Sequence, residues 1–293
     1  MFDELAIIVV RGIGLGAIFS LVAMSMNIVY GATHILNFAQ GNMFVLGGFF
    51  AIVSFGGGSS IPLWLALIPV AGLVLAVAVT LQGWVTLLPL RQSTEQNSWL
   101  ITTMAASIMI SAVLLLSLGP WASSARSPLA PITLFGVRTP APYAAVIVLA
   151  LFWYVALRLF LRRTLTGLAI SALSQDLEAA RAAGLKVRRL QLISFGISGL
   201  IVGSAGFVAA PLISIASDTG VRYVLNGFIA AVVGGMGSNL GALIGGPLVG
   251  IVAMLATYTV GGEFQSLVSL LLLVLMLLLR PEGIFGRASA RRV

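Results

Sequence analysis

No cysteine occurs in the 293 residues, which excludes a disulfide framework, a thiolate nucleophile and a cysteine-held metal. Histidine occurs once, as His34, so imidazoles cannot assemble a metal cluster, and the expected place of His34 is a helix junction. Charge is scarce: 8% of residues are charged against 59% hydrophobic, a balance foreign to a water-soluble core and shell. The one lysine, Lys186, follows Ala183-Gly184-Leu185 rather than a GxxxxG run, so the chain has no phosphate-cradling loop with which to power itself. The eight acids, Asp3, Glu4, Glu95, Asp176, Glu178, Asp218, Glu263 and Glu282, fall in loops or at span ends. An ion-driven carrier keeps a titratable group within the membrane, and no such relay is visible. Nor is there a serine, histidine and carboxylate set for an intramembrane enzyme.

What the chain has is apolar length. Runs such as Leu63 to Leu81, Tyr143 to Leu161 and Leu267 to Leu279 approach the roughly 20 residues needed to cross a bilayer as a helix. They are continuous rather than alternating, which excludes a β-barrel. The expectation is an all-α, polytopic membrane bundle, a single transmembrane domain over residues 1–293, with about eight or nine spans. These are placed at Leu5–Tyr30, Leu36–Phe55, Pro62–Leu88, Trp99–Leu118, Pro142–Leu161, Leu190–Ile213, Val221–Met236, Leu240–Thr259 and Phe264–Leu279, with Val221–Met236 short enough to be broken or re-entrant. The opening MFDELAIIVVRG has acids where a secretory signal carries bases, so it reads as a retained first span.

Basic residues set the orientation. Placing the central loop in the cytoplasm gathers Arg91, Arg162, Arg163, Arg181, Lys186, Arg188, Arg189, Arg280, Arg287, Arg291 and Arg292 there, and leaves Arg126, Arg138 and Arg222 outside. The C-terminus is then cytoplasmic and the N-terminus periplasmic. The formal charge of +8 follows from this bias and calls for no nucleic acid. The proline-rich stretch Pro120 to Pro142 reads as an irregular outer docking surface.

The central stretch, residues 163–189, is too polar to span and too helix-prone to be slack. Leu173, Leu177, Ala180 and Gly184 recur at helical steps and predict one helical face, with Gly184 as its stop. Methyls at Ala179, Ala180, Ala182 and Ala183 allow close approach of another surface, while Gln175, Asp176, Glu178 and Arg181 supply polar contacts around it. Docking of a protein partner competes with an amphipathic helix lying on lipid; acids at Asp176 and Glu178 favour docking.

Two polar, glycine-containing interruptions stand in opposite halves of the chain. Asn37, Gln40, Gly41 and Asn42 predict a cavity or solute pathway, because unsatisfied amides in lipid are costly. Gly234, Gly235, Gly237, Ser238 and Gly241 fit either close helix packing or the pathway, with packing the commoner use of small-residue spacing.

Gln175-Asp176 followed by Ala179-Ala180 and Gly184 resembles the cytoplasmic coupling segment of bacterial ABC importer permeases of the branched-chain amino-acid type. "NIVYGATHILNFAQGNMFVLGGF" (Asn27 to Phe49), "AAVVGGMGSNLGALIGGPLVG" (Ala230 to Gly250) and "LLLRPEGIFG" (Leu277 to Gly286) are similar to further segments of that family, in the same order. One departure is Gln40, where histidine is common. The resemblance implies that the bundle is a permease domain of the bacterial inner membrane, a non-catalytic subunit without cofactor, with ATP and Mg on two separate ATPase subunits. It also implies a second related permease, identical or not, and a periplasmic binding protein that delivers the solute. Leucine, isoleucine and valine are the implied cargo, with urea, short amides or aromatic acids as alternatives. A stand-alone passive channel is the rival from another class, and it leaves the central stretch without a role.

Overall fold

The computed structural model describes residues 2–55, 60–88, 98–134 and 137–286. Arg91, Glu95, Arg287, Arg291 and Arg292, used above to set orientation or to locate the acids, lie outside the described residues. Eleven α-helices carry the described fold: α1 Phe2–Thr33, α2 Gln40–Phe55, α3 Ile61–Leu87, α4 Ser98–Leu118, α5 Pro142–Arg163, α6 Leu165–Leu173, α7 Leu177–Ala182, α8 Val187–Ala209, α9 Thr219–Gly234, α10 Asn239–Thr259 and α11 Gln265–Leu279. The described sheet is one hairpin, β1 Ile132–Leu134 paired antiparallel with β2 Val137–Thr139, within the proline-rich loop. Helix dominates because lipid offers no partner for backbone groups, so each apolar segment must satisfy its own.

Seven helices are long and apolar enough to cross a membrane, against two apolar helices of only 16 residues, α2 and α9. At 1.5 Å per residue the short pair reach about 24 Å, less than the roughly 30 Å of a hydrocarbon core. The expectation of eight or nine segments, some short, is met in this form. In α8 and α1, 72% and 56% of the span window is buried, against 6–28% in α11, α4, α5 and α3. The centre is therefore α1 and α8, flanked by α2, α9 and α10, and the outer helices present leucine-rich faces such as Leu271 and Leu278 outward.

Small residues bring the central helices together. A Cβ added at Gly16 would strike the backbone of Gly246 and Pro247, and one at Gly12 would strike Ile251, so α1 and α10 lie backbone to backbone. Gly199 and Gly203 of α8 press against Leu75, Ala76 and Ala71 of α3 in the same way. Lipid tails are as apolar as leucine, so such van der Waals contact, rather than water exclusion, holds the bundle.

These contacts also fix depth. Antiparallel α1 and α10 pair Gly12 with Ile251, Gly16 with Pro247, Ser20 with Leu243 and Asn27 with Ser238. Parallel α9 sets Tyr223 beside Phe19 and Gly227 beside Val22. Against α10 it runs antiparallel, with Gly234 meeting Gly241 and Ala230 meeting Gly245, so α9 ends at the first turn of α10 and begins near its far end. Parallel α2 and α8 pair Gln40 with Ser198, Gly47 with Gly203 and Gly48 with Gly206. Thus α2 starts at the middle of α8. The two short helices run in opposite directions, and their first turns touch at Gly41 and Gly220.

The structure departs from the sequence expectation in three places. Leu36–Ala39 is not part of a span: His34 adopts φ +54° and ends α1, and the Asn37 side chain accepts the Ala39 N–H to start α2. The span expected to reach Ile213 ends at Ala209, before an irregular stretch that bridges to Ser123 through Ile215. The single central helix is two, because Asp176 turns its carboxylate onto the N–H groups of Glu178 and Ala179 and so begins a new helix.

Candidate functional site

Three groups of residues stand apart from ordinary helix packing. The first is the α6–α7 segment. Thr164 caps α6 by accepting the Gly167 N–H, and Asp176 caps α7. At the far end Leu185 N–H donates to Ala180 O and Gly184 N–H to Arg181 O, with Gly184 at φ +80°. This is a Schellman stop, for which glycine is suited. Leu173 and Ala180 are buried against the chain itself, and Leu177 is half-buried. Gln175, Asp176, Glu178, Ala179, Arg181, Ala182, Ala183 and Gly184 are exposed. The expected face is therefore divided: Leu173 and Ala180 fasten the segment, and the methyls of Ala179, Ala182 and Ala183 look outward.

The second group is an amide lattice between α2, α3 and α8. Asn37 Nδ2 donates to Gln40 Oε1 (3.0 Å) and Gln82 Oε1 (3.0 Å), and Gln82 Nε2 donates back to Asn37 Oδ1 (2.9 Å). Gln40 Nε2 donates to Ser198 Oγ. All four side chains are buried. The two amides singled out from sequence thus satisfy each other, with help from Gln82 and Ser198, which went unremarked because single polar residues in long apolar runs carry no local pattern. Gln82→Leu would remove two of the hydrogen bonds of the buried Asn37 amide, leaving those to Gln40 and the Ala39 N–H, and is expected to destabilise the chain by about 1–3 kcal/mol. Thermal unfolding of the detergent-purified variant measures it; a melting point equal to wild type would show that the lattice holds nothing together.

The third group is the junction of the two short helices, α2 and α9. A Cβ at Gly41 would strike Gly220 O and Val224, and one at Gly220 would strike Asn42 Oδ1. Asn42 Nδ2 donates to Ser107 O (2.6 Å), Ser107 Oγ (2.8 Å) and Ser111 Oγ (3.1 Å) on α4, while its Oδ1 is buried with no hydrogen-bond partner. Asp218 opens α9 without a side-chain capping bond. Asp218 and Arg222 are both exposed.

The late glycines divide their work. Gly234 and Gly241 meet backbone to backbone, and Gly235, at φ +104°, lies against Gly286. Ser238 caps α10 by accepting the Gly241 N–H, and Asn27 holds the elbow by accepting from Gly237 N–H and donating to Ser238 O. A Cβ added at Gly237, at φ +81°, would meet nothing. Close packing is therefore the use the geometry shows for most of this stretch. A cavity of about 580 Å³ separates the elbow from the α6–α7 segment, lined by Asn27, His34, Arg158, Ser174, Gln175 and Asn239 among others. Asn37, Gln40, Gly41 and Asn42 are not among its walls. Among the described residues no group of three or more His, Asp or Glu side chains could hold a metal ion.

The family profile described as branched-chain amino acid transport system / permease component matches residues 8–278. The chain is 27% identical over 298 residues to the high-affinity branched-chain amino acid transport system permease protein LivH of Escherichia coli (strain K12), covering 97% of this chain and 96% of that one. It is 26% identical over 301 residues to the corresponding protein BraD of Pseudomonas aeruginosa, covering 97% and 96%. A second permease protein of the E. coli system, LivM, is 28% identical over 299 residues, covering 91% of this chain and 67% of that one. No solved structure gives a significant match.

Proposed function

Since this chain belongs to the permease-component family of branched-chain amino acid transport systems, we propose that it forms part of the solute pathway of an ATP-driven importer for leucine, isoleucine and valine. The observation that carries the reading is the α6–α7 segment: a short helix, stopped at both ends by its own side chain and glycine, fastened by Leu173 and Ala180, and exposing three methyls among polar groups. A passive channel needs no such part. The segment over residues 163–189 would couple to a partner ATPase through Gln175, Asp176, Glu178, Ala179, Arg181, Ala183 and Gly184, with Leu177 beside them.

The α6–α7 end is assigned to the cytoplasm. Arg162, Arg163, Arg181, Lys186, Arg188, Arg189 and Arg280 gather there, and Arg126 and Arg138 lie in the loop that follows the far end of α4. The N-terminus is then periplasmic and the C-terminus cytoplasmic. ATP and Mg belong to two ATPase subunits, and this chain holds no cofactor. Two permease proteins in the E. coli system, both similar to this chain, support a pairing of unlike permeases, fed by a periplasmic binding protein.

The test is reconstitution of the chain with a second permease and ATPases in liposomes, with the binding protein outside and ATP inside. Uptake of labelled leucine that requires ATP is expected. Uptake that persists without ATP overturns the reading in favour of a passive channel.

A further inference from the structure

The end of α5 and the start of α10 stand apart beside α6, and the gap between them is the cavity of about 580 Å³. At their opposite ends the same two helices close on α1: the Tyr143 ring packs on Gly14, and Arg11 donates to the Tyr258 hydroxyl. Within the cavity α1 contributes Asn27 and Tyr30, α5 contributes Arg158 and α10 contributes Leu240. Ser171 and Ser174 of α6 form the side toward α7.

The charge of this cavity has one sign. Arg158 and Arg162, one helical turn apart, both line it, and no aspartate or glutamate among the described residues does. Both arginines are exposed, and Arg158 donates to the neutral Tyr154 hydroxyl (2.9 Å). Two neighbouring guanidinium groups without a carboxylate suit an anion. The same pair disfavours the ammonium of a zwitterionic amino acid.

Position selects among anions. Helix α5 has 22 residues, about 33 Å at 1.5 Å per residue, which crosses a hydrocarbon core of roughly 30 Å with little to spare. Arg158 and Arg162 lie in its last two turns, where hydrocarbon gives way to headgroups. From Leu240 an exposed stripe continues along α10 through Ile244 and Leu248, and Leu151, Val155 and Leu159 are exposed on α5. A basic pocket continuous with an apolar surface fits a molecule that carries phosphate and hydrocarbon together.

We propose that the cavity between α5, α6 and the start of α10 binds an anionic phospholipid. Its phosphodiester sits on Arg158 and Arg162, a hydroxylated headgroup lies among Ser171, Ser174 and Asn27, and an acyl chain runs along Leu240, Ile244 and Leu248. Phosphatidylglycerol has this chemistry. A lipid seated there ties α5 to α6 and so braces the segment proposed to dock the ATPase.

To test this, the full chain is delipidated in detergent and incubated with micelles holding equal amounts of phosphatidylglycerol and phosphatidylcholine of the same acyl chains. Lipid retained after recovery of the protein is quantified by mass spectrometry. Enrichment of phosphatidylglycerol by at least about tenfold is expected, since each arginine near a lipid phosphate favours the anionic headgroup. Arg158→Gln with Arg162→Gln abolishes the enrichment. Arg188→Gln with Arg189→Gln, which removes the same charge outside the cavity, preserves it. Ser174→Trp fills the headgroup space while leaving both arginines, and it too abolishes the enrichment, so the result does not hang on the folding of one variant. Equal retention of the two lipids, or enrichment that survives both cavity variants, overturns the proposal. Millimolar inorganic phosphate in the wash separates the two sources of phosphate: lipid that stays bound supports the site, and full displacement assigns it to a soluble anion and overturns the lipid reading. No transport is measured, so these outcomes are independent of whether ATP drives uptake.

Discussion

Tryptophan at Ala179 or Ala183 is expected to strip the ATPases from the purified permease while leaving the permease folded. Both methyls are exposed, and they lie four residues apart, on one side of α7. An indole there holds the partner surface away without touching the chain's own packing. A tenfold fall in co-purified ATPase corresponds to about 1.4 kcal/mol, and a displaced interface of small residues should exceed that. The same substitution at Ala180 reports something else. Ala180 is 5% exposed, so its indole would overpack the contact between α7 and the rest of the chain, at about 1–3 kcal/mol of stability. Asp176 separates charge from structure: Asp176→Asn keeps the cap, Asp176→Ala loses about 1 kcal/mol of it, and Asp176→Lys also reverses the charge met by the partner. If both exposed tryptophan variants retain full ATPase, the segment is not where the partner docks.

The other large effect belongs to Gly220. Valine there places a branched Cβ on Asn42 Oδ1, and neither neighbour can yield: Asn42 is tied to Ser107 and Ser111 on α4, and the next turn of α9 is packed against Gly41. Separation of α2 from α9 is the sole relief, and the expected loss is about 3 kcal/mol or more. Melting of the detergent-purified protein and its retention as a single species on size exclusion provide the measurement. Gly220→Ala is the milder probe. Asn42→Ala should restore part of its loss, since the collision is with that side chain, and a double-mutant cycle gives the coupling directly. Independence of the two substitutions would mean the helices do not abut as described.

Much of this architecture is legible in the chain. Continuous apolar runs locate the spans within a few residues, because a lipid-embedded backbone has no alternative to helix. Gly184 announces a helix stop through its φ requirement, and Asp176 is a favoured capping type, although reading Leu173 to Gly184 as one face overlooked that the same carboxylate would split it. What cannot be read locally is which residues share a level. Gln82 and Ser198 lie 45 and 158 residues from their partners, and nothing near either one marks it. Arg11 and Arg158 were also passed over, and they lie within α1 and α5, each donating to a tyrosine hydroxyl.

The stretch from His34 to Ala39 bears on how the protein is made. Its backbone is not helical, it climbs from the level of Gln191 to that of Ser198, and Ile35, Asn37 and Ala39 are buried on the way. Irregular backbone survives at such depth only under a cover of protein, and the cover is α3 and α8, which the ribosome produces later. Until residues near Ser198 emerge, the start of α2 has nothing to satisfy its amides, and entering lipid would cost several kcal/mol for each unmet group. Biogenesis must therefore hold α2 at the membrane surface or within the insertion machinery while more than half of the chain is synthesised, and seat it only when α8 arrives.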